Sequence, residues 1–355
     1  MTAAPRVTLS DVAARAGVSI STASRALRGR GEMDAGTRAR ILAAAAELGY
    51  SAAQQQRGRP RQGTARMIDL VLGHFHDPYT DEVTAGARTA ASRLGYDLVL
   101  TEERKDPHDD WPQRIRSRGS AGVVIGLILP SASQWEALRS ANIPVVLLEP
   151  PSEAPLPVPS VRTTDWAGGA EAAEHLAERG AQRFVVIGGA PSYRYGRARV
   201  DGFRAALSRV APSAPCVVTT AGWGAWEARK ACAAALPRLG GSGPIGVFAC
   251  SDEMAAGAYR AIADAGLAVP RDVLVVGFDD VRGARWLHPS LTTIRQPIRE
   301  MAAAAVQLLA QAIAGAPTDA SRVELPTQLV PRGSTAVWPA RADHGGSSAG
   351  SAARA

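Results

Sequence analysis

The stretch VTLSDVAARAGVSISTASRALRG, residues 7–29, decides how the front of this chain folds. Thr8 and Asp11 stand three apart, the spacing at which a hydroxyl and a carboxylate satisfy the free N–H groups of a helix start. The helix they open, LSDVAARAG, stops at Gly17, which enters the left-handed region without a Cβ penalty. Ser19 is placed to cap a second helix, ISTASRALRG, with Ala23 and Leu27 on one face. Asp34 caps a third, AGTRARILAAAAELG, with Ile41, Ala45 and Leu48 at helical spacing and Gly49 as its stop. Three short helices are therefore expected within the first 50 residues.

Working outward, the charge is uneven. Residues 1–66 hold 11 Arg, no Lys and 4 acids, whereas the rest of the 355-residue chain holds 29 basic and 29 acidic side chains. A neutral body behind a basic head points to nucleic acid or an acidic surface. Two short helices joined by AGVS fit a helix-turn-helix, whose second helix enters the major groove. Ile20, Ser21, Thr22, Ser24, Arg25 and Arg28 are then exposed on that helix, with Thr8 and Ser19 at the helix starts counted in the same DNA-binding set. Short polar side chains permit close approach, hydroxyls reach phosphates or bases, and an arginine can bond two acceptors of a guanine.

From Met67 the pattern changes to strand-length apolar runs separated by alanine-rich helices. MIDLVLGHF, YDLVLTEE, AGVVIGLIL and IPVVLLE form one series; RFVVIGGA, CVVTTAG, IGVFACSD and VLVVGFDD form a second. Continuous apolar strands alternating with helices imply parallel sheets covered on both faces, so two α/β lobes are expected. The proline-rich PPSEAPLPVPS, residues 150–160, marks the break between the series, and residues 336–355, rich in Gly, Ser and Ala, are expected to be disordered. The three cysteines lack CxxC spacing and read as reduced packing residues. No export signal or membrane-length apolar run is present, so a cytoplasmic protein is expected.

The head motif, followed by TRARILAAAAELGY, resembles the DNA-binding domain of the LacI family of bacterial transcription regulators. The resemblance implies that Ile20 and Ser21 occupy the positions that vary most with operator sequence. Thr22, Ser24 and Arg25 match more general base and phosphate contacts, and Tyr50 leads into the hinge. It extends through GGAEAAEHLAERGAQRFVVIGGAPSYRYGRARVDGFRAAL, ACSDEMAAGAYRAIADAGLAVPRDVLVVGFDD, LTTIRQPI and LVPRGSTA, which look like the family's sugar-sensing module, itself similar to periplasmic sugar-binding proteins. The implied organisation is a helix-turn-helix at 1–50, a basic linker at 51–66 and a two-lobed effector-binding and dimerisation domain at 67–335. The first lobe takes 67–163 and 297–322, the second 164–292 and 323–335.

In the family the linker folds on the operator into a hinge helix that wedges a leucine into the minor groove. Here Arg59 stands where that leucine is expected and Pro60 follows it. RGRPR, Arg57 to Arg61, resembles instead the core of an AT-hook, whose arginines suit the negative potential of a narrow minor groove. A nonspecific phosphate-binding tether and a distorted hinge helix at 52–57 are the other readings.

Sugar recognition needs planar polar groups for hydroxyls and an aromatic face for the ring. The resemblance places Arg199 and Asp279 at hydroxyl-binding positions, Trp223 at a stacking position and Gln296 at a lobe crossing beside the cleft. Ser251 stands where many relatives carry asparagine. His74, Phe75 and Tyr79 follow the first strand on one cleft wall, and Glu149 ends the fourth strand facing the same space. His74 and His76 share a strand face, but no third ligand accompanies them, so no metal is expected. Neither a phosphate loop nor a nucleophile elbow occurs, and no enzyme activity or cofactor is expected. The implied function is a transcription regulator, a dimeric repressor of carbohydrate-utilisation genes on a pseudo-palindromic operator. A sugar-like effector between the lobes controls it; a nucleoside-like effector is the alternative.

Overall fold

The computed structural model describes residues 7–27, 33–48, 50, 67–104, 110–153, 157–316 and 321–336. Arg28, Gly49, the linker with Arg57 and Arg59, and the tail beyond residue 336 lie outside the described residues. The chain divides into two compact units, one ending at Thr64 and one beginning at Ala65.

The front unit contains α1 (Leu9–Ala16), α2 (Ile20–Leu27) and α3 (Ala35–Glu47). Thr8 and Asp11 form the reciprocal cap of α1, Gly17 stops it at φ 63°, and Asp34 accepts the Thr37 N–H to open α3. Val12, Ala13, Ala23, Ala26, Ile41 and Ala45 meet in the middle. Alanine at most of these positions lets three short helices approach closely enough to exclude water.

The second unit is built on two six-stranded sheets. The first comprises β1 (Met67–Leu72), β2 (Asp97–Glu102), β3 (Val123–Gly126), β4 (Val145–Leu148), β5 (Ser160–Thr163) and β11 (Arg322–Leu325), in the order β11-β5-β4-β3-β1-β2, all parallel. The second comprises β6 (Arg183–Gly188), β7 (Cys216–Thr220), β8 (Ile245–Ala249), β9 (Val273–Asp279), β10 (Thr292–Arg295) and β12 (Gln328–Val330), in the order β12-β10-β9-β8-β6-β7. Only β12 runs antiparallel there, against β10. Every residue of β8 and β9 is buried, whereas edge strand β7 alternates between exposed and half-buried residues. That contrast follows from helices covering both faces at the centre of the sheet but not at its rim.

α4 (Pro78–Arg93) and α11 (Ile298–Ile313) pack together on one face of the first sheet, and α5 (Trp111–Arg118) and α6 (Ala132–Ser140) build a second apolar layer. In the second lobe α7 (Asp165–Glu178) packs on α8 (Arg194–Val210), and α9 (Ala225–Ala235) on α10 (Asp252–Asp264).

Among the described residues three chain crossings join the lobes; the first falls at 163/164 as the family resemblance implies, and the other two lie a few residues from where it put them. The proline-rich stretch does not separate the lobes; it links neighbouring strands β4 and β5 of the first sheet, and the crossing comes after Thr163. The second follows Arg295, because β10 pairs with β9, so the second lobe extends beyond residue 292. The third follows Leu325 rather than residue 322, because Arg322–Leu325 pairs in register with Ser160–Thr163. Pro326 ends that strand, since it offers no N–H to continue a ladder. Thr164 and Thr327 tie two crossings together, with the Thr327 N–H donating to Thr164 Oγ1 at 2.9 Å.

Candidate functional site

In the front unit α2 presents a polar face. Ile20, Ser21 and Arg25 are exposed and Thr22 and Ser24 half-exposed, while Ala23 and Ala26 point to the core. Ile20 is 52% exposed, an unusual position for isoleucine unless something covers it. Ser19 Oγ accepts the Thr22 N–H at 3.1 Å and lies within 2.9 Å of the Ser21 and Thr22 hydroxyls, so the helix start is a small hydroxyl cluster. Two of the expected contacts have structural duties first. Thr8 is committed to the α1 cap, and Tyr50 packs half-buried on the helical core.

In the second unit the strand ends of the two sheets meet across a cleft. Arg199, 4% exposed on α8, is its central cation. Its Nε donates to Asp165 Oδ1 at 2.9 Å, its Nη1 donates to the Cys250 carbonyl at 2.7 Å, and the same nitrogen lies 3.5 Å from Asp279 Oδ1. The guanidinium carbon sits 3.8 Å from the centre of the Phe278 ring. Gln296 Nε2 donates to Asp279 Oδ1 at 2.6 Å. Glu149, buried at the end of β4, accepts the Thr163 N–H at 2.5 Å and pairs with Arg194 at 2.7 Å. Arg194 also reaches Asp165, at 3.3 Å.

An aromatic group completes the wall. Trp223 lies 5.3 Å from Tyr195 and 6.0 Å from Tyr193, ring centre to ring centre. Gly189 lies beneath it: a Cβ there would stand 2.4 Å from the indole. Asp165 Oδ2, Gln296 Oε1, Trp223 Nε1 and Arg194 Nε are buried without a hydrogen-bond partner. Buried polar groups left open in this way are an unmet hydrogen-bonding capacity in the cleft. A separate, charged cavity of about 330 Å³ touches this cluster only at Asp279 and Gln296; Glu82, Asp280, Arg282, Arg299 and Glu300 line much of the rest of it, and Arg199, Asp165, Glu149 and Trp223 do not.

The expected residues Arg199, Asp279, Gln296 and Glu149 thus converge, with Trp223 beside them. Tyr79 faces the same charges from α4: burial and the Glu149 carboxylate hold its phenol well above the ordinary value. Ser251 is buried nearby, but its oxygen caps α10 by accepting the Met254 N–H at 3.1 Å. Phe75 packs against the first-lobe core, and half-exposed His74 lies 3.2 Å from Asp77. Among the described residues no three His, Cys, Asp or Glu side chains are grouped to hold a metal. Sequence reasoning missed Asp165 and Arg194. Asp165 at the first turn of a helical pattern reads as a cap, and Arg194 is one of three arginines in RYGRAR.

Burial pulls the Arg199 guanidinium down, yet Asp165 and Asp279 raise it above its ordinary value, so it stays charged. Burial and then Asp165 push Glu149 up to about 8, against the pull of Arg194, and burial pushes Asp279 up to about 7. Raised carboxylates favour the folded state when protonated, so their contribution is complete below their ordinary values of 3.8 for Asp279 and 4.5 for Glu149 and is lost as pH rises towards 8. Buried His175, lowered to about 4, acts oppositely but only below its ordinary value of 6.5. The urea midpoint is therefore expected to fall between pH 6.5 and 8, and Glu149→Gln to flatten that slope.

Two family models match the chain: bacterial regulatory proteins of the lacI family over residues 8–52, and a periplasmic binding protein-like domain over residues 173–335. The ribose operon repressor of Halalkalibacterium halodurans is 32% identical over 92% of this chain and 97% of its own length. The regulator MalR of Streptomyces coelicolor is 32% identical over 93% of this chain and 97% of its own. Among solved structures, the CelR–cellobiose complex superposes with a TM-score of 0.68 at 28% identity, covering 93% of this chain and 100% of that one. The lac repressor dimer bound to operator and the anti-inducer ONPF gives 0.67 at 28% identity, covering 93% and 99%. With a capped helix-turn-helix in front of a two-lobed α/β body, and with that likeness running through nearly its whole length, the chain belongs to the lacI family of bacterial regulatory proteins.

Proposed function

We propose that this protein is a repressor of carbohydrate-utilisation genes whose grip on operator DNA is set by a sugar-like effector held between the two lobes. One observation carries the reading. The cleft gathers buried polar atoms without a hydrogen-bond partner, Gln296 Oε1, Arg194 Nε and Trp223 Nε1, with Asp165 Oδ2 held only by a 3.3 Å ion pair, beside an aromatic group. That is the arrangement a polyhydroxylated ring satisfies: hydroxyls complete the polar groups and C–H faces stack on the indole. In this reading Arg199 and Asp279 bond hydroxyls, Gln296 and Glu149 close the cleft from the crossing and the first lobe, and Tyr79 covers it. His74 and Phe75 form the rim.

On the DNA side Ile20, Ser21 and Arg25 of α2 read the major groove, Thr22, Ser24 and Ser19 reach phosphates, and Arg57 and Arg59 lie along the adjacent minor groove. Two heads on a homodimer match a pseudo-palindromic operator. Trp286, 75% exposed, and Trp226, 57% exposed, are large apolar surfaces that such an assembly has reason to cover. No helix among the described residues is long and apolar enough to cross a membrane.

The test is binding of the full-length protein to its own promoter fragment against random duplex, with ribose, maltose and cellobiose as candidate effectors. Preference for the promoter, declining steeply with salt and shifted by one sugar, is the expected result. Arg25→Ala is expected to cost about 1–3 kcal/mol of promoter binding. No preference over random duplex, with or without any sugar, ends the proposal.

A further inference from the structure

We propose that Arg194 is a positioning residue of the effector site: a latch that draws the lobes together before an effector arrives and holds Asp165 ready to receive it. The inference rests on the cleft being the effector site. Arg194 opens α8 in the second lobe, and its Nη2 donates to Glu149 Oε2 at the end of β4 in the first. Its backbone N–H makes a second crossing, donating to the Pro151 carbonyl at 2.7 Å. One residue therefore spans the cleft twice, through side chain and main chain.

The first-lobe partner is held firmly. Glu149 adopts φ 44°, a conformation disfavoured for any residue with a Cβ, and keeps it because the Thr163 N–H fixes its carboxylate while its own N–H donates to Val161. The number of cations gives the latch its weight. Among the described residues the cations paired with Glu149, Asp165 and Asp279 are Arg194 and Arg199, and Arg199 is occupied by Asp165, Asp279 and the Cys250 carbonyl. Around Glu149 itself stand Asp165 of α7, Arg194 and Arg199 of α8, and Tyr79 of α4. Without the Arg194 guanidinium, Glu149 loses its bond across the lobe boundary and Asp165 loses one of its two cations, so fewer contacts hold the cleft shut. Arg194 Nε and Asp165 Oδ2 still lack hydrogen-bond partners in the latched state, so an effector completes the latch instead of breaking it.

Amide hydrogen exchange on the full-length protein, with no sugar added, tests this. Arg194→Met is expected to speed exchange roughly tenfold or more in the peptides carrying the Thr163 and Arg194 amides, leaving those of β8 and β9 as in the parent. Glu149→Gln keeps an acceptor for Thr163 but turns an amide on Arg194, and is expected to do the same. Arg194→Lys retains the ion pair and is expected to keep most of the protection. Unchanged exchange in the Met and Gln variants overturns the proposal. So does a rise spread evenly over the second lobe, or a lysine variant no better than methionine. Promoter binding by the parent is scored separately, so failure of the regulator reading and failure of the latch give different results.

Discussion

Arg199→Met is expected to lower the stability of the two-lobed unit by about 3–5 kcal/mol and to abolish the effector response, because it removes the buried cation that two buried carboxylates share and leaves Asp165 with Arg194 alone and Asp279 with the Gln296 amide. Asp165 and Asp279 are almost fully buried, and Arg199 is the cation that faces both. The methionine keeps much of the aliphatic volume, so what is lost is the charge, its seat over the Phe278 ring and the bond to the Cys250 carbonyl. Combining it with Asp165→Asn removes one of the two carboxylate charges, and the double variant is expected to be more stable than the sum of the singles predicts. All seven tryptophans lie beyond residue 100, so urea unfolding followed by tryptophan fluorescence reads this unit without interference from the front one. A loss below about 1 kcal/mol, or strict additivity, removes the cation from the centre of the site.

The frame of the molecule was legible because its signals are local. Caps at Thr8, Ser19 and Asp34 need only a few consecutive residues, and β8 and β9 announce themselves as unbroken apolar runs. Strands β5, β11 and β12 were not visible in this way. They are three or four residues long and partly polar, and their pairing depends on partners as far away as Ser160 and Arg322. The lobe boundaries shifted for the same reason: crossings are set by which sheet accepts a strand, which no local pattern records. In the site, Arg199 and Asp279 came through the family likeness. Arg194 and Asp165 did not, because RYGRAR offers three arginines and only the tertiary fold decides which turn inward. Arg197 donates to the Pro191 carbonyl on the exposed side of the same helix.

The helix crossing that brings Asp165 to Arg199 is itself a target. α7 and α8 touch backbone to backbone: a Cβ on Gly202 would stand 1.9 Å from the Trp166 carbonyl oxygen, and one on Gly169 would stand 2.0 Å from that of Arg199. Backbone cannot swing aside as a side chain can, so Gly202→Ala must push the helices apart. Against a gain of about 1 kcal/mol from helix propensity, we expect a net loss of about 3 kcal/mol or more, or failure to fold. Gly257→Ala is the informative comparison. Its Cβ would stand 2.1 Å from the Ala225 carbonyl oxygen, between α9 and α10, so it carries a similar overpacking cost without parting Asp165 from Arg199. Gly283→Ala, with nothing within 4 Å, is expected to be neutral. If effector binding is lost in proportion to stability in both the Gly202 and Gly257 variants, the crossing has no special tie to the site. If the Gly202 variant loses binding beyond its share of stability while the Gly257 variant does not, the 2.9 Å contact between Arg199 and Asp165 is what the two glycines protect.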